Sequence, residues 1–245
     1  KPHSNKLISV MPMNFGQGKG RPENIITISD IGIRLLYEKE VIDQKIPSDR
    51  IIFKDFSRVK HELLVNWFRI YLNYLEKQIP DINTDFISST TPFVRLRKDG
   101  SPLPSDTVTI NDDERSFVPD GVFSLSHSKQ QKWLLFFLEV DMGTESITSS
   151  TGKSDTIQQK ITNYIAYFNN GGYKRYQKKW HCELNGFRVL FLTNSMQRKE
   201  TISRFLRESK AYDFVWVSSE KELFQHGLSG NIWIRGGNIT HQQSI

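Results

Sequence analysis

The chain has 245 residues, enough for one large domain or for a core domain preceded by a small one. Its formal net charge of +6 favours an anionic partner, first of all nucleic acid. A single cysteine, Cys182, excludes an intrachain disulfide and fits a reducing cytoplasm. No apolar run reaches the roughly 18 residues of a membrane-spanning helix, and no signal peptide is visible. The sequence begins at Lys1 rather than at a methionine, so we expect N-terminal sequence to be missing.

The first part of the chain predicts two short strands and a helix. The strands, at 7–10 and 25–28, flank a glycine-rich basic turn, and Ser29 is placed to cap a helix that runs to about residue 41. Two strands joined by a basic loop and followed by a helix resemble the wing and last helix of a winged helix-turn-helix. We therefore predict a partial winged-helix-like DNA-binding module over residues 1–46, with Lys19 and Arg21 contacting DNA.

The remaining residues, 47–245, predict one α/β domain. A helix is expected at 57–78, where apolar residues recur at helical spacing, and a polar loop at 98–114. Further helices are predicted at 156–168, 196–209 and 221–225. Strands are predicted at 86–96, 117–125, 133–141, 187–193, 214–217 and 232–235. The strand at 133–141 is apolar on both faces and is expected inside the sheet. This order predicts an α/β sandwich around a mixed sheet.

Two acidic residues stand in strongly apolar, strand-like sequence. Asp120 follows Pro119 beside one predicted strand, and Glu139 lies near the end of the next. A carboxylate is costly to bury unless it is paired or bound to a metal. With the backbone carbonyl of Val140, these carboxylates can form a half-shell of oxygen ligands for Mg²⁺ or Mn²⁺. In the alternative, Asp120 belongs to a common Pro-Asp turn and Glu139 lies at a sheet edge. Neither residue then has a catalytic or metal-binding role.

Asp141 points to the same side of its strand as Glu139, because side chains alternate along a strand. The helix that follows carries Lys160 beside Tyr164. Carboxylate, carboxylate and lysine in this order resemble the core of the PD-(D/E)xK nucleases, which have a lysine at the place of Asp141. Three interpretations remain open: Lys160 replaces that lysine, Asp141 is a third metal ligand, or only the fold persists.

The first core helix offers a further acid, Glu62. A helical wheel places Glu62 opposite the centre of the apolar face and His61 nearer the buried arc. This position favours a solvated surface role for Glu62.

A basic segment with interleaved aromatic residues follows the helix of Lys160. Its cationic members are Lys174, Arg175, Lys178 and Lys179. Its aromatic members are Tyr173, Tyr176 and Trp180. Cations that neutralise phosphates and rings that stack on bases are typical of a DNA contact. The alternative is a solvated charged surface whose aromatic side chains turn inward.

Five segments together resemble the replication-relaxation family of plasmid and mobile-element proteins: GKGRPENIITISDIGIRLL, HELLVNWF, FVPDGVFSL, FLEVDMGTE and QQKITNYIAYF. An acid at the place of Asp141 is usual in that family. The resemblance implies a bacterial cytoplasmic protein with a winged-helix part and a restriction-endonuclease-like core, a mixed sheet flanked by helices. It also implies a link with plasmid replication, mobilisation or DNA relaxation.

Two functions follow as expectations. The first is a DNA endonuclease dependent on Mg²⁺ or Mn²⁺, in which Asp120 and Glu139 hold the metal, Asp141 assists and Lys160 stabilises the transition state. The second is a catalytically inactive DNA-binding accessory or assembly protein for replication, mobilisation or transposition. Besides DNA, the expected partners are a transposase, a relaxase, a replication protein or a second copy of the chain in a homodimer.

Overall fold

The computed structural model describes residues 7–12, 24–42, 58–89, 98, 103–149, 156–209 and 212–245. The chain divides into two compact units, Lys1–Val59 and Lys60–Ile245. The predicted boundary after residue 46 lies outside the described residues, as do Lys19 and Arg21 of the basic turn. Within the described ranges, no helix is both long enough and apolar enough to span a bilayer.

The first unit contains the predicted hairpin and helix. Strand β1 (Ile8–Pro12) pairs antiparallel with β2 (Asn24–Ile28), and α1 (Asp30–Glu38) follows. The hydroxyl of Ser29 accepts a hydrogen bond from the Gly32 amide at 3.1 Å and so caps α1, as the sequence predicts. The assignment of this unit to the winged-helix class stays a prediction.

The second unit is built on one seven-stranded sheet. In chain order its elements are α2 (Val59–Gln78), β3 (Ile82–Ser88), β4 (Asp106–Ile110), β5 (Asp113–Phe117), β6 (Gly121–His127), β7 (Lys132–Asp141), α3 (Ile157–Asn169), α4 (Arg175–Trp180), β8 (Arg188–Thr193), α5 (Met196–Ser209), β9 (Val215–Ser219), α6 (Glu220–His226), β10 (Trp233–Arg235) and β11 (Gln242–Gln243). The strand order in the sheet is β11-β10-β9-β8-β7-β6-β3.

The sheet is mixed, and β7 lies inside it, as the sequence predicts. Strands β3, β6 and β7 pair antiparallel, whereas β7, β8 and β9 run parallel. Side chains of β7 alternate between two cores: Leu135 and Phe137 pack with α3 and α5, and Phe136 and Leu138 pack with α2. Helices therefore cover both faces, which confirms the predicted α/β class.

Two sequence-based expectations are wrong in detail. The sequence predicts a polar loop at 98–114, but residues 106–110 and 113–117 form the hairpin β4–β5. Its turn residues Asn111 and Asp112 have φ values of 51° and 66°, which suit a tight hairpin turn. The strand expected at 86–96 begins earlier, at Ile82, and residues 90–97 lie outside the described part. Helix α4 was not predicted.

The core on the α3 face supplies a stability prediction. Phe137 is 1% exposed and its ring lies within 6 Å of the ring centroids of Tyr164, Tyr167, Tyr176 and Phe187. Replacing it with alanine leaves a cavity, so we expect the free energy of unfolding to fall by roughly 3–5 kcal/mol. Leu134→Ala on the same strand is the control, since Leu134 is 41% exposed. Equal losses in urea unfolding of the two variants would contradict this packing.

Candidate active site

Glu139 lies near the end of β7 on the face that packs against α3, and it is 4% exposed. Its Oε1 accepts a hydrogen bond from the Tyr164 hydroxyl at 2.6 Å, and its Oε2 accepts one from Lys160 Nζ at 3.1 Å. Burial raises the pKa of Glu139, and Lys160 opposes that rise. The carboxylate is therefore held in the interior by one cation and one hydroxyl donor.

Helix α3 places both donors on one side of Glu139. Thr156 caps the helix by accepting a hydrogen bond from the Gln159 amide at 3.1 Å. Lys160 and Tyr164 are four residues apart, so they lie on the same helical face. Burial by itself lowers the pKa of Lys160, but the carboxylates of Glu139 and Glu145 outweigh it and hold this pKa well above its usual range. The ammonium is therefore charged at neutral pH.

Lys160 has a second acceptor, Glu145, in the segment that follows β7. Lys160 Nζ lies 2.8 Å from Glu145 Oε1. The other carboxylate oxygen, Glu145 Oε2, is buried and has no hydrogen-bond partner among the described residues. Glu145 Oε2 is thus a hydrogen-bond acceptor without a donor in the described part of the chain, and it belongs to a carboxylate that contacts the Lys160 ammonium.

Asp120 lies at the sheet end next to Glu139. Its Oδ2 accepts a hydrogen bond from the Val140 amide at 2.7 Å and lies 3.1 Å from His61 Nε2 on α2. The side chain of Asp120 therefore accepts the hydrogen bond that the main-chain amide of Val140 donates near the end of β7. After burial and Lys160, the charge of Asp120 is a further influence on the pKa of Glu139, and it raises this pKa. The two carboxylates are thus close enough to interact electrostatically.

Asp141 faces the same side as Glu139, but its carboxylate has other partners. Asp141 Oδ2 accepts a hydrogen bond from Arg198 Nε at 2.5 Å, and Oδ1 accepts one from the Gly143 amide at 2.8 Å. Arg198 also donates to the main-chain oxygen of Glu145 at 2.5 Å. These bonds tie the end of β7 to α5 and position the segment that carries Glu145.

The residues present fit one kind of metal site. No group of three or more His, Cys, Asp and Glu side chains in the described ranges is arranged to hold a metal ion. Magnesium, however, is often bound by one or two carboxylates and keeps several waters. Asp120 and Glu139 would supply a ligand set of that smaller kind.

Four participants were absent from the predicted site: His61, Tyr164, Glu145 and Arg198. For two of them, the sequence contains a local pattern that could have indicated their place in the site. The helical wheel places His61 near the buried arc of α2, and Tyr164 follows Lys160 by one helical turn. Glu145 and Arg198 reach the site through the tertiary fold, and no local pattern marks them.

The basic segment divides into structural and exposed cations. Arg175 Nε pairs with Asp106 Oδ2 at 2.7 Å, and Lys179 Nζ lies 3.1 Å from Asp85 Oδ2. Lys174 and Lys178 are exposed. The three aromatic side chains of this segment are buried, so their faces are not available to stack on bases at the surface. The two exposed lysines are the members best placed to meet a phosphate backbone.

Comparison with known proteins bears on the same region. A model of the replication-relaxation family matches residues 4–181, a range that includes the carboxylates, Lys160 and the basic segment. No curated protein and no solved structure matches the chain.

The ion pair of Lys160 supplies a second prediction. Lys160→Met leaves Glu139 buried without its cation, so we expect the free energy of unfolding to fall by roughly 3–5 kcal/mol at neutral pH. In the double variant Glu139→Gln/Lys160→Met the buried charge of Glu139 is gone and only Glu145 lacks its cation, so the loss should be smaller than in Lys160→Met alone.

Lys129→Met is the matched control for Lys160→Met. Lys129 also pairs with a carboxylate, Asp81 at 2.7 Å, but its side chain is 76% exposed. Its removal should cost less than about 1 kcal/mol in the same unfolding titration. A double variant as unstable as Lys160→Met would show that the charge of Glu139 is not the cause.

Proposed function

The chain belongs to the replication-relaxation family, and on this premise we propose that its second unit cleaves phosphodiester bonds of DNA with a divalent metal ion. Family membership gives the protein a DNA-processing role in plasmids or mobile elements. One observation supports the finer proposal: Asp120 before β6, Glu139 on β7 and Lys160 on α3 lie together at one end of the sheet.

Each of these residues has a role that its contacts allow. Asp120 and Glu139, with the main chain of Val140, would hold Mg²⁺ or Mn²⁺. When bound, the ion polarises the scissile phosphate and lowers the pKa of a coordinated water. Lys160 stays protonated and supplies positive charge where negative charge develops on the phosphate. Tyr164 orients Glu139 through its hydroxyl.

The two acceptors of Lys160 are relevant to this proposal. Glu139 and Glu145 both accept from the ammonium, at 3.1 Å and 2.8 Å. If Glu139 turned one oxygen towards a metal, Lys160 would keep Glu145 as a partner and remain in place. Glu145 is therefore proposed to hold the lysine during binding, while Asp141 and Arg198 keep the segment of Glu145 against α5.

Cleavage of supercoiled plasmid tests this function. With Mg²⁺ or Mn²⁺ the wild type should nick or linearise the plasmid, and Asp120→Asn and Glu139→Gln should each lower the rate at least about 100-fold. Asn is preferred to Ala at 120 because its side-chain oxygen can still accept from the Val140 amide.

Asp113→Asn on the exposed tip of the β4–β5 hairpin removes the same charge away from the site and serves as control. Wild-type cleavage by Asp120→Asn, with a wild-type melting temperature, would rule out the assignment. Cleavage that needs no divalent metal would also count against it.

The second candidate is a DNA-binding accessory protein without catalysis. It is favoured by the contacts of Asp141, whose carboxylate is bound to Arg198 and to the Gly143 amide. It is also favoured by the exposed pair Lys174 and Lys178, which can contact phosphates without any metal. In this case DNA binding should be steeply salt-dependent and indifferent to EDTA.

Removing charges one group at a time distinguishes the cations of the basic segment that contact DNA from those that stabilise the fold. Lys174→Gln/Lys178→Gln should lower the slope of log Kd against log salt by about 2 and leave stability unchanged. Arg175→Gln should instead destabilise the fold, because Arg175 binds Asp106 and the main chain at Leu103. Unchanged DNA affinity in the double lysine variant would remove this surface from the interface.

A further inference from the structure

Arg188, the first residue of β8, lies at the sheet end away from the candidate active site. Its guanidinium carbon is 5.8 Å from the ring centroid of Phe136 and 5.1 Å from that of Trp216. In the described part of the chain this guanidinium forms neither a hydrogen bond nor an ion pair. A half-buried cation with no anionic partner is costly unless another group compensates it.

A second guanidinium lies beside it. Arg235 on β10 is the register partner of Trp216, one of the two rings that contact Arg188. Burial lowers the pKa of Arg188, and the charge of Arg235 lowers it further. Arg235 has an anionic partner, Asp213, at 3.1 Å, but Asp213 is 81% exposed and this pair lies in solvent. Of these two neighbouring guanidinium groups, only that of Arg235 is paired with a carboxylate among the described residues, and this carboxylate is exposed.

Both arginines line a pocket of about 460 Å³. Its other walls include Trp133, Phe214 and the polar side chain of Asn185. Glu183 also lines it, and this carboxylate is exposed to solvent like that of Asp213. The space is sufficient for a phosphate group with part of its nucleotide.

We propose that this pocket binds a phosphate group of a DNA strand, with Arg188 as the fixed ligand and Arg235 as the second. The planar guanidinium matches the phosphate oxygens in a bidentate manner. The guanidinium of Arg188 lies over the rings of Phe136 and Trp216, and its N–H donors have no acceptor among the described residues, so they are available to a ligand.

The pocket is separate from the candidate active site. Phe136 and Trp216 belong to the core on the α2 face, whereas Glu139 faces α3. Phe136 is the register partner of Arg188 and lies three residues before Glu139, roughly 10 Å along the strand. The inference rests on the DNA-processing role of the family and not on cleavage, so its test is a binding measurement in EDTA.

The first experiment titrates a fluorescently labelled DNA duplex and a labelled single strand with protein in EDTA. Arg188→Met keeps the contact with the rings and removes the charge. We expect a Kd about 10-fold weaker and a salt slope lower by about 1, the value for one phosphate contact. Arg204→Met, at an exposed position of α5, is the matched control and should change neither quantity.

A second variant is predicted to bind DNA more tightly. Because it changes an exposed residue, its result does not depend on whether the fold tolerates a substitution at half-buried Arg188. Asp213→Asn frees Arg235 and removes a negative charge from the pocket, so we expect DNA to bind about 2–5-fold more tightly. Asp113→Asn on the β4–β5 hairpin is its control and should bind as the wild type does.

The outcomes are distinguishable. Weaker binding by Arg188→Met together with tighter binding by Asp213→Asn supports the proposal, whether or not the protein cleaves DNA. Wild-type affinity and salt slope in both variants overturn it. Stabilisation of the wild type but not of Arg188→Met by inorganic phosphate, with unchanged DNA affinity, overturns it in favour of a free phosphate as the ligand.

Discussion

The cost of burying the Glu139 carboxylate is the constraint on which the site depends. Strand β7 lies inside the sheet and both of its faces are covered, so this carboxylate does not reach bulk water. A buried ionised acid requires a cation and hydrogen-bond donors close by. Helix α3 supplies them from residues one turn apart, and the position of α3 over the sheet is what allows Lys160 and Tyr164 to reach Glu139.

The same groups that stabilise this end of the sheet are those that chemistry would use. Asp120 completes the bonding of β7 through the Val140 amide, and Asp141 connects β7 to α5 through Arg198. Asp120 makes its bonds through Oδ2, so its other oxygen can still meet a ligand, whereas both oxygens of Asp141 have partners. The arrangement therefore serves either a metal-assisted nuclease or an accessory protein that keeps the fold and binds DNA without cleaving it.

The two faces of the sheet carry different kinds of charge. Carboxylates and one lysine converge on the α3 face, where a cation is favoured. Arginines converge on the α2 face near the start of β8, where an anion is favoured. A protein that processes DNA has use for both, because phosphate contacts position the strand and need not lie where the backbone is cut.

The sequence alone determined the α/β class, the interior place of β7, the N-cap of α1 and the acids near the end of β7. These features follow from local periodicity and from the cost of placing charge in apolar segments, both of which are visible along the chain. The tertiary structure decided the partners: His61 for Asp120, Glu145 for Lys160, Arg198 for Asp141. It also decided that the Arg188 guanidinium lies beside two aromatic rings and, within the described ranges, has no carboxylate partner, because contacts between residues distant in sequence depend on how the layers pack.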